Sequence, residues 1–203
     1  MKNAVLALAA LCLAASCAER AADAPRVVME TDAGAITLEL YPDKAPLTVA
    51  NFLHYVDEGA LDGGSFYRTT RPGNDPLITV IQGGLWAPWE ADMDEGFAPP
   101  FPAIAHETTE LSGLSHGDGV ISMARSEPGT ASSEFFINVG ANPSLDYGGE
   151  RNPDGQGFAA FGKVIGGMDV VNAIHAAQAQ PGEGFEGQIL VEPVKINSVR
   201  REQ

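Results

Sequence analysis

Between Ile36 and Tyr41, apolar and polar residues alternate: Ile36, Leu38 and Leu40 interleave with Thr37, Glu39 and Tyr41. That period of two predicts a half-buried strand. A second apolar stretch, beginning at Arg26, precedes it across Asp32-Ala33-Gly34, so the opening reads as two strands joined by a turn. The period then lengthens to that of a helix. Val49, Phe52, Leu53 and Val56 share a face, Pro46 suits the first turn and Gly59 the stop. Short strands are predicted over 65–69, 77–82, 120–125, 134–138 and 158–164, and a closing strand over 191–200 with Val194 and Ile196 on one side. Residues 83–103 and the turn-rich "GGERNPDGQG" (148–157) read as irregular loops. A second helix is predicted over 168–177, with Val170, Val171, Ile174 and Ala177 on one face. Many short strands and two helices set far apart in the chain fit a closed β-barrel capped by helices.

Composition adds bounds on size and partners. The chain has 203 residues, 44% of them hydrophobic, with 23 Gly and 14 Pro, which fits one loop-rich globular domain with a sizeable core. A net charge of −15 leaves no basic stripe to neutralise phosphates, so nucleic acid is excluded as a partner. Residues 1–16 read as an export signal: Lys2 is followed by an apolar stretch over 4–15 that is too short to span a bilayer comfortably. "LAASC" then places Cys17 after small residues, as in the lipobox of bacterial lipoproteins, although Ala14 stands where a leucine is usual. The competing cleavage pattern is Ser16, Cys17, Ala18. Cys12 and Cys17 are the only cysteines, so cleavage leaves no intramolecular disulfide. The expected organisation is a signal over 1–16, lipidation at Cys17, a tether over 17–25 and one domain over 26–203. The expected location is the periplasm or the periplasmic face of a bacterial membrane, held only by the lipid anchor, as a monomer.

The candidate chemistry gathers in "ISMARSEPGTASSEFFI" (121–137), together with "FYR" (66–68) and "IQGG" (81–84). A lone arginine beside aromatics, a glutamine before paired glycines and two apolar strands suit a groove that grips an apolar side chain and aims one positive charge at it. Phe135 and Phe136 alternate across a strand, so one enters the core and the other faces the groove; the residues alone do not say which. Gly83 and Gly84 suggest close backbone approach, not a phosphate loop, since no Lys-Ser/Thr follows. His54, His106, His116 and His175 lack ligand spacing, so no metal is expected. "DMDEG" (92–96) and the segment holding Asp146, Glu150 and Asp154 lack a full calcium loop. No serine sits in a nucleophile elbow.

The order and spacing of "NFLHYVDEGALDGGSFYR", "IQGG", "DGVISMAR", "SEFFI", Leu145-Asp146 and "FGKVIGGMDVV" resemble the cyclophilin family of peptidyl-prolyl cis-trans isomerases, over about residues 27–199. The resemblance implies an eight-stranded antiparallel barrel closed at each end by a helix, with the active groove on its outer face. It implies proline-containing polypeptides as substrates and no cofactor. Arg68 matches the family's catalytic arginine, Gln82 the glutamine that steadies it, Phe136 the aromatic floor of the proline pocket and Leu145 an apolar wall. Ala124 and Arg125 match the strand whose backbone binds the peptide, and His116 a structural histidine.

The sequence also departs from the family. Thr79 and Val80 stand where phenylalanine and methionine are usual, Glu134 replaces a glutamine that orders the groove, and Phe158 replaces a common histidine. Ser144 falls where many members carry a tryptophan that contacts cyclosporin. Arg125 stands where an asparagine is common. These changes predict a smaller-walled, more acidic pocket, with the long 71–79 connection beside it. An alternative is a binding module of the same fold that recognises proline segments with little turnover.

The chemistry the resemblance implies needs no covalent step. An X–Pro bond rotates slowly because amide resonance must break, a barrier of about 18–20 kcal/mol, which sets a timescale of roughly tens to hundreds of seconds. Holding the ring and donating a hydrogen bond to the nitrogen as it becomes pyramidal stabilises the twisted state selectively.

Overall fold

The computed structural model describes residues 24–75, 77–87, 97–182 and 185–202. The export signal, Cys17, most of the tether and the 92–96 segment lie outside these residues. Eight strands, all paired antiparallel, close into a barrel. In chain order they are β1 (Arg26–Thr31), β2 (Gly34–Leu40), β3 (Ser65–Thr70), β4 (Val80–Gly84), β5 (Val120–Met123), β6 (Phe135–Asn138), β7 (Ala159–Gly166) and β8 (Ile189–Arg201). Around the barrel the order is β1-β2-β7-β5-β6-β4-β3-β8, with β8 returning to β1. Closure pairs every edge, so this long closing strand does the work that the sequence assigned only to its 191–200 segment.

The helices follow their predicted faces. Helix α1 (Pro46–Asp57) buries Val49, Phe52, Leu53 and Val56, and ends at Gly59 with φ +64°. Its first turn is held from outside the helix: the Glu107 carboxylate accepts from the Leu47 and Thr48 backbone N–H groups at 3.1 and 2.8 Å, where a carboxylate favours the helix dipole. A short α2 (Thr109–Ser112), not foreseen from the sequence, is capped by Thr108. Helix α3 (Met168–Ala176) buries Val171 and Ile174.

The apolar residues divide into two clusters. The larger fills the barrel, with Phe135 edge-on to both Phe52 and Phe66 at 5.8 and 5.7 Å between centroids. The smaller lies apart from it and consists of Ile78, Val80, Phe136 and Leu145, with Ala124 and Phe158 packed against it. Alternation along β6 therefore sends Phe135 inward and Phe136 to the second cluster.

Candidate active site

Arg68 reaches the outer cluster because β3 is irregular. Phe66 pairs with Gly83 and Arg68 with Gln82, so Tyr67 is an extra residue opposite one step of β4. In an unbroken strand Arg68 would share the inward face with the buried Phe66. The bulge turns it outward. Gly83 permits the strands to approach: a Cβ there would lie 2.7 Å from the Ser65 carbonyl oxygen.

The guanidinium is held on two sides by neutral acceptors. Nη1 donates to Gln82 Oε1 at 2.6 Å, while Nε and Nη2 donate to Gln188 Oε1 at 2.8 and 2.5 Å. The ring of Phe185 lies 5.1 Å from its Cζ. Three of its five N–H groups are used, which leaves one on each Nη for another acceptor. Among the described residues no carboxylate pairs with it directly. Burial lowers its proton affinity below the ordinary arginine value, but an arginine remains a cation throughout the working range.

Behind the arginine runs a hydrogen-bonded chain. Gln82 Nε2 donates to the Tyr67 hydroxyl at 2.7 Å, and that hydroxyl donates to Glu134 Oε2 at 2.9 Å. Glu134 Oε1 also accepts from the backbone N–H groups of Leu85 and Trp86 and from Ser133. Burial is the largest influence on this carboxyl and raises it above its ordinary range, against the pull of those donors. Burial also pushes the Tyr67 hydroxyl well up, with the Glu134 charge beside it.

In front of the arginine is a cavity of about 170 Å³ lined by Arg68, Ile78, Val80, Gln82, Ala124, Arg125, Phe136, Leu145, Arg151, Asn152 and Phe158. It is smaller than the roughly 300–1,000 Å³ of pockets that enclose whole small molecules. Its scale is that of one side chain. Phe136 forms the floor, 4% exposed, with Phe158 edge-on at 5.3 Å and the His116 ring stacked at 5.9 Å. His116 is itself fixed by Asp146 through Nδ1 at 2.7 Å and by Ser122 through Nε2 at 3.1 Å.

The structure brings together Arg68, Gln82, Val80, Ala124, Arg125, Phe136, Leu145 and Phe158. Two expectations are corrected. Thr79 is not in the cavity: its hydroxyl donates to the Val139 carbonyl oxygen and its backbone N–H to Asn142 Oδ1. Alternation places Ile78 and Val80 on the cavity side instead, and β4 begins at Val80, not at Leu77, because the backbone N–H groups of Leu77, Ile78 and Thr79 bond to Asp75 and Asn142 and not to a neighbouring strand. Glu134 does not line this cavity either. It faces a neighbouring cleft of about 510 Å³ with Tyr67, Trp86, Phe97 and Thr130. Among the described residues the lining is therefore basic, with three arginines and no carboxylate, not acidic as the substitution at 134 suggested.

Arg125 was expected to matter through its backbone. Its side chain, 1% exposed, makes a bidentate pair with Asp154 at 2.8 and 2.9 Å and donates to the Gly157 carbonyl oxygen. That pairing holds Asp154 down at about 2. Trp86 packs edge-on to Tyr67 at 5.2 Å. Ile78, Gln188, Arg151 and Asn152 were missed. The period-two spacing of Ile78, Val80 and Gln82 was a usable signal for the first. Nothing local marks Gln188, which lies 120 residues from Arg68.

A closed antiparallel barrel with an arginine and an aromatic-floored groove on its outside is the class of site these features define. The family described as cyclophilin type peptidyl-prolyl cis-trans isomerase matches residues 26–201, and the chain belongs to it, as an isomerase of that type. Relatives include the peptidyl-prolyl cis-trans isomerase cyp18 of Streptomyces antibioticus, 37% identical over 175 residues, covering 86% of this chain and 96% of that protein. Peptidyl-prolyl cis-trans isomerase B of Escherichia coli is 34% identical over 174 residues, covering 85% and 97%. A crystal structure of a Cryptosporidium parvum cyclophilin type isomerase superposes with a TM-score of 0.69 at 20% identity, covering 89% of this chain and 98% of that one, which speaks for the fold alone.

Proposed function

We propose that the protein accelerates rotation about X–Pro bonds of exported or envelope polypeptides, assisting their folding, with Arg68 as the catalytic residue. The observation that carries this reading is a guanidinium held by two glutamine carbonyls, with two N–H groups to spare, at the mouth of an aromatic-floored cavity of one side chain's size. The proline ring would sit on Phe136 between Leu145, Val80 and Phe158. The flanking backbone would run along Ala124 and Arg125. As the amide twists, its nitrogen gains a lone pair and accepts from Arg68, a contact the planar ground state does not offer. Lowering the barrier by about 7–8 kcal/mol corresponds to a gain on the order of 10⁵–10⁶ in rate. No bond breaks, so no cofactor enters the step.

The same proposal places a monomer outside the cytoplasm, held to a membrane by lipid on Cys17. Supporting this are the short apolar stretch after Lys2 and the small residues before Cys17. A protease-coupled assay on Ala-Pro tetrapeptides tests the activity: wild type is expected to be fast, and Phe136→Ala to weaken peptide binding. A wild type that binds such peptides yet leaves their isomerisation at the uncatalysed rate overturns the enzymatic reading. Labelling intact cells with palmitate tests the anchor. A Cys17→Ala protein that still takes up label contradicts it.

A further inference from the structure

The 147–157 insertion contributes two polar side chains to the proline cavity, Arg151 and Asn152, that the reading above does not use. We infer that they form a subsite for a carboxylate, and that the enzyme favours an acidic residue beside the isomerising proline. This inference rests on the proline-binding reading of the cavity.

The insertion is built to hold its place. Gly148 N–H donates to the Gly155 carbonyl oxygen at 2.7 Å and Arg151 N–H to that of Ser144 at 3.1 Å. The buried Arg125 side chain fastens Asp154 and Gly157 to the end of β5. At Gly157 a Cβ would stand 2.5 Å from the Leu145 carbonyl oxygen, so the loop returns flush against the pocket wall. Side chains presented from such a loop are positioned, not trailing.

Each of the two groups has capacity left over. Asn152 Nδ2 is buried without a hydrogen-bond partner in the protein, although it belongs to a residue lining the cavity. A buried amide N–H₂ left unpaired costs about 1–3 kcal/mol, so it calls for an acceptor brought from outside the chain. Among the described residues Arg151 makes a single ion-pair contact, to Asp75 Oδ2 at 3.3 Å, and its side chain is 33% exposed. Most of its five donors therefore stay open. Its charge is felt at Arg68, whose proton affinity it lowers.

Charge narrows the class. The chain carries −15 overall, yet among the described residues the cavity has three arginines and no acidic lining residue. Asp154 neutralises Arg125 with two contacts, Asp75 compensates Arg151 with one, and Arg68 has no such partner among the described residues. A carboxylate arriving beside the proline would meet the open donors of Arg151, a charge-assisted arrangement, and would gain the Asn152 amide once that side chain turns its enclosed Nδ2 into the cavity. A neutral acceptor could take the same donors but without the charge assistance.

The test is a peptide series carrying Glu, Gln or Ala next to the proline, on either side, assayed for isomerisation at low and high salt. At one of the two positions Glu is expected to exceed Gln by about three- to tenfold in kcat/KM, carried in KM and shrinking as salt rises. Arg151→Gln collapses that Glu-to-Gln ratio towards one, and Asn152→Asp inverts it. Equal rates for Glu and Gln at both positions in wild type, or a Glu preference that survives Arg151→Gln, overturns the inference. Failure of the underlying reading looks different: no peptide in the series, the Ala reference included, would be isomerised.

Discussion

Arg68 is useful because of where its neighbours force it to be. Tyr67 occupies the bulge that turns Arg68 out of the barrel, and the Tyr67 hydroxyl then anchors Gln82, which holds one arm of the guanidinium. Gln188 holds the other arm through two contacts. Gln188→Ala is therefore expected to lower kcat about 5- to 20-fold, roughly 1–2 kcal/mol of lost positioning, while peptide Kd changes little; a loss seen only in Kd would assign Gln188 to binding instead. Most of this arrangement was not legible in the sequence. Strict alternation from Phe66 puts Arg68 inward; the residues around it marked a lone arginine beside aromatics, and only the resemblance to a known family gave it a catalytic role. The sorting of Phe135 from Phe136 was half legible: period two says they part, and packing decides which one faces the groove.

At the scale of elements, β6 and the turn after β4 are joined by one buried carboxyl. Gly84 makes this possible, since a Cβ there would meet the Glu134 carboxylate at 2.4 Å. Gly84→Ala is expected to destabilise the fold by about 1–3 kcal/mol, visible as a lower urea midpoint; an unchanged midpoint would mean that the carboxylate moves aside freely. Burial raises Glu134 above its ordinary 4.5, so between that value and the raised one the folded state holds more protons than the unfolded. Its contribution is then fully present below 4.5 and is lost as pH rises through the folded value. Relative to wild type, Glu134→Gln should gain stability as pH increases from about 4 to about 8. A difference between the two that is flat across this range, measured by urea unfolding, contradicts the burial argument. The sequence identified position 134 as unusual but misread the consequence, because it could not show the carboxylate turning towards the Leu85 and Trp86 amides and away from the cavity in front of Arg68. The 148–157 loop was legible as a loop from its glycines, whereas its return to the pocket depends on Arg125 finding Asp154, a pairing with no local signature.

For the whole molecule, the pattern of alternating strands and two separated amphipathic helices already pointed to a capped barrel, and closure by pairing β8 to both β1 and β3 completes it. Stability should then follow the core and not the surface ion pairs. Phe135, edge-on to two other phenylalanines in the barrel, is expected to cost about 3–5 kcal/mol when replaced by alanine. Arg201, half-exposed in its pair with Asp57, should cost under about 1 kcal/mol. Thermal unfolding of both variants checks this ordering, and a reversal would place the stabilising interactions at the barrel's exterior. The second, smaller apolar cluster is separate from the core, so Val80, which stands where the family usually has another residue, lies outside the packing of the barrel.

The most direct measurement compares wild type with Arg68→Ala on one Ala-Pro peptide, reading isomerisation by NMR exchange and binding by titration in the same samples. Arg68→Ala is expected to lower kcat/KM by about 10²-fold or more, roughly 2.7 kcal/mol of transition-state stabilisation, with peptide Kd within a few-fold of wild type. Equal isomerisation rates in the two proteins, with binding intact, would contradict it and leave the groove as a site that holds proline without turning it.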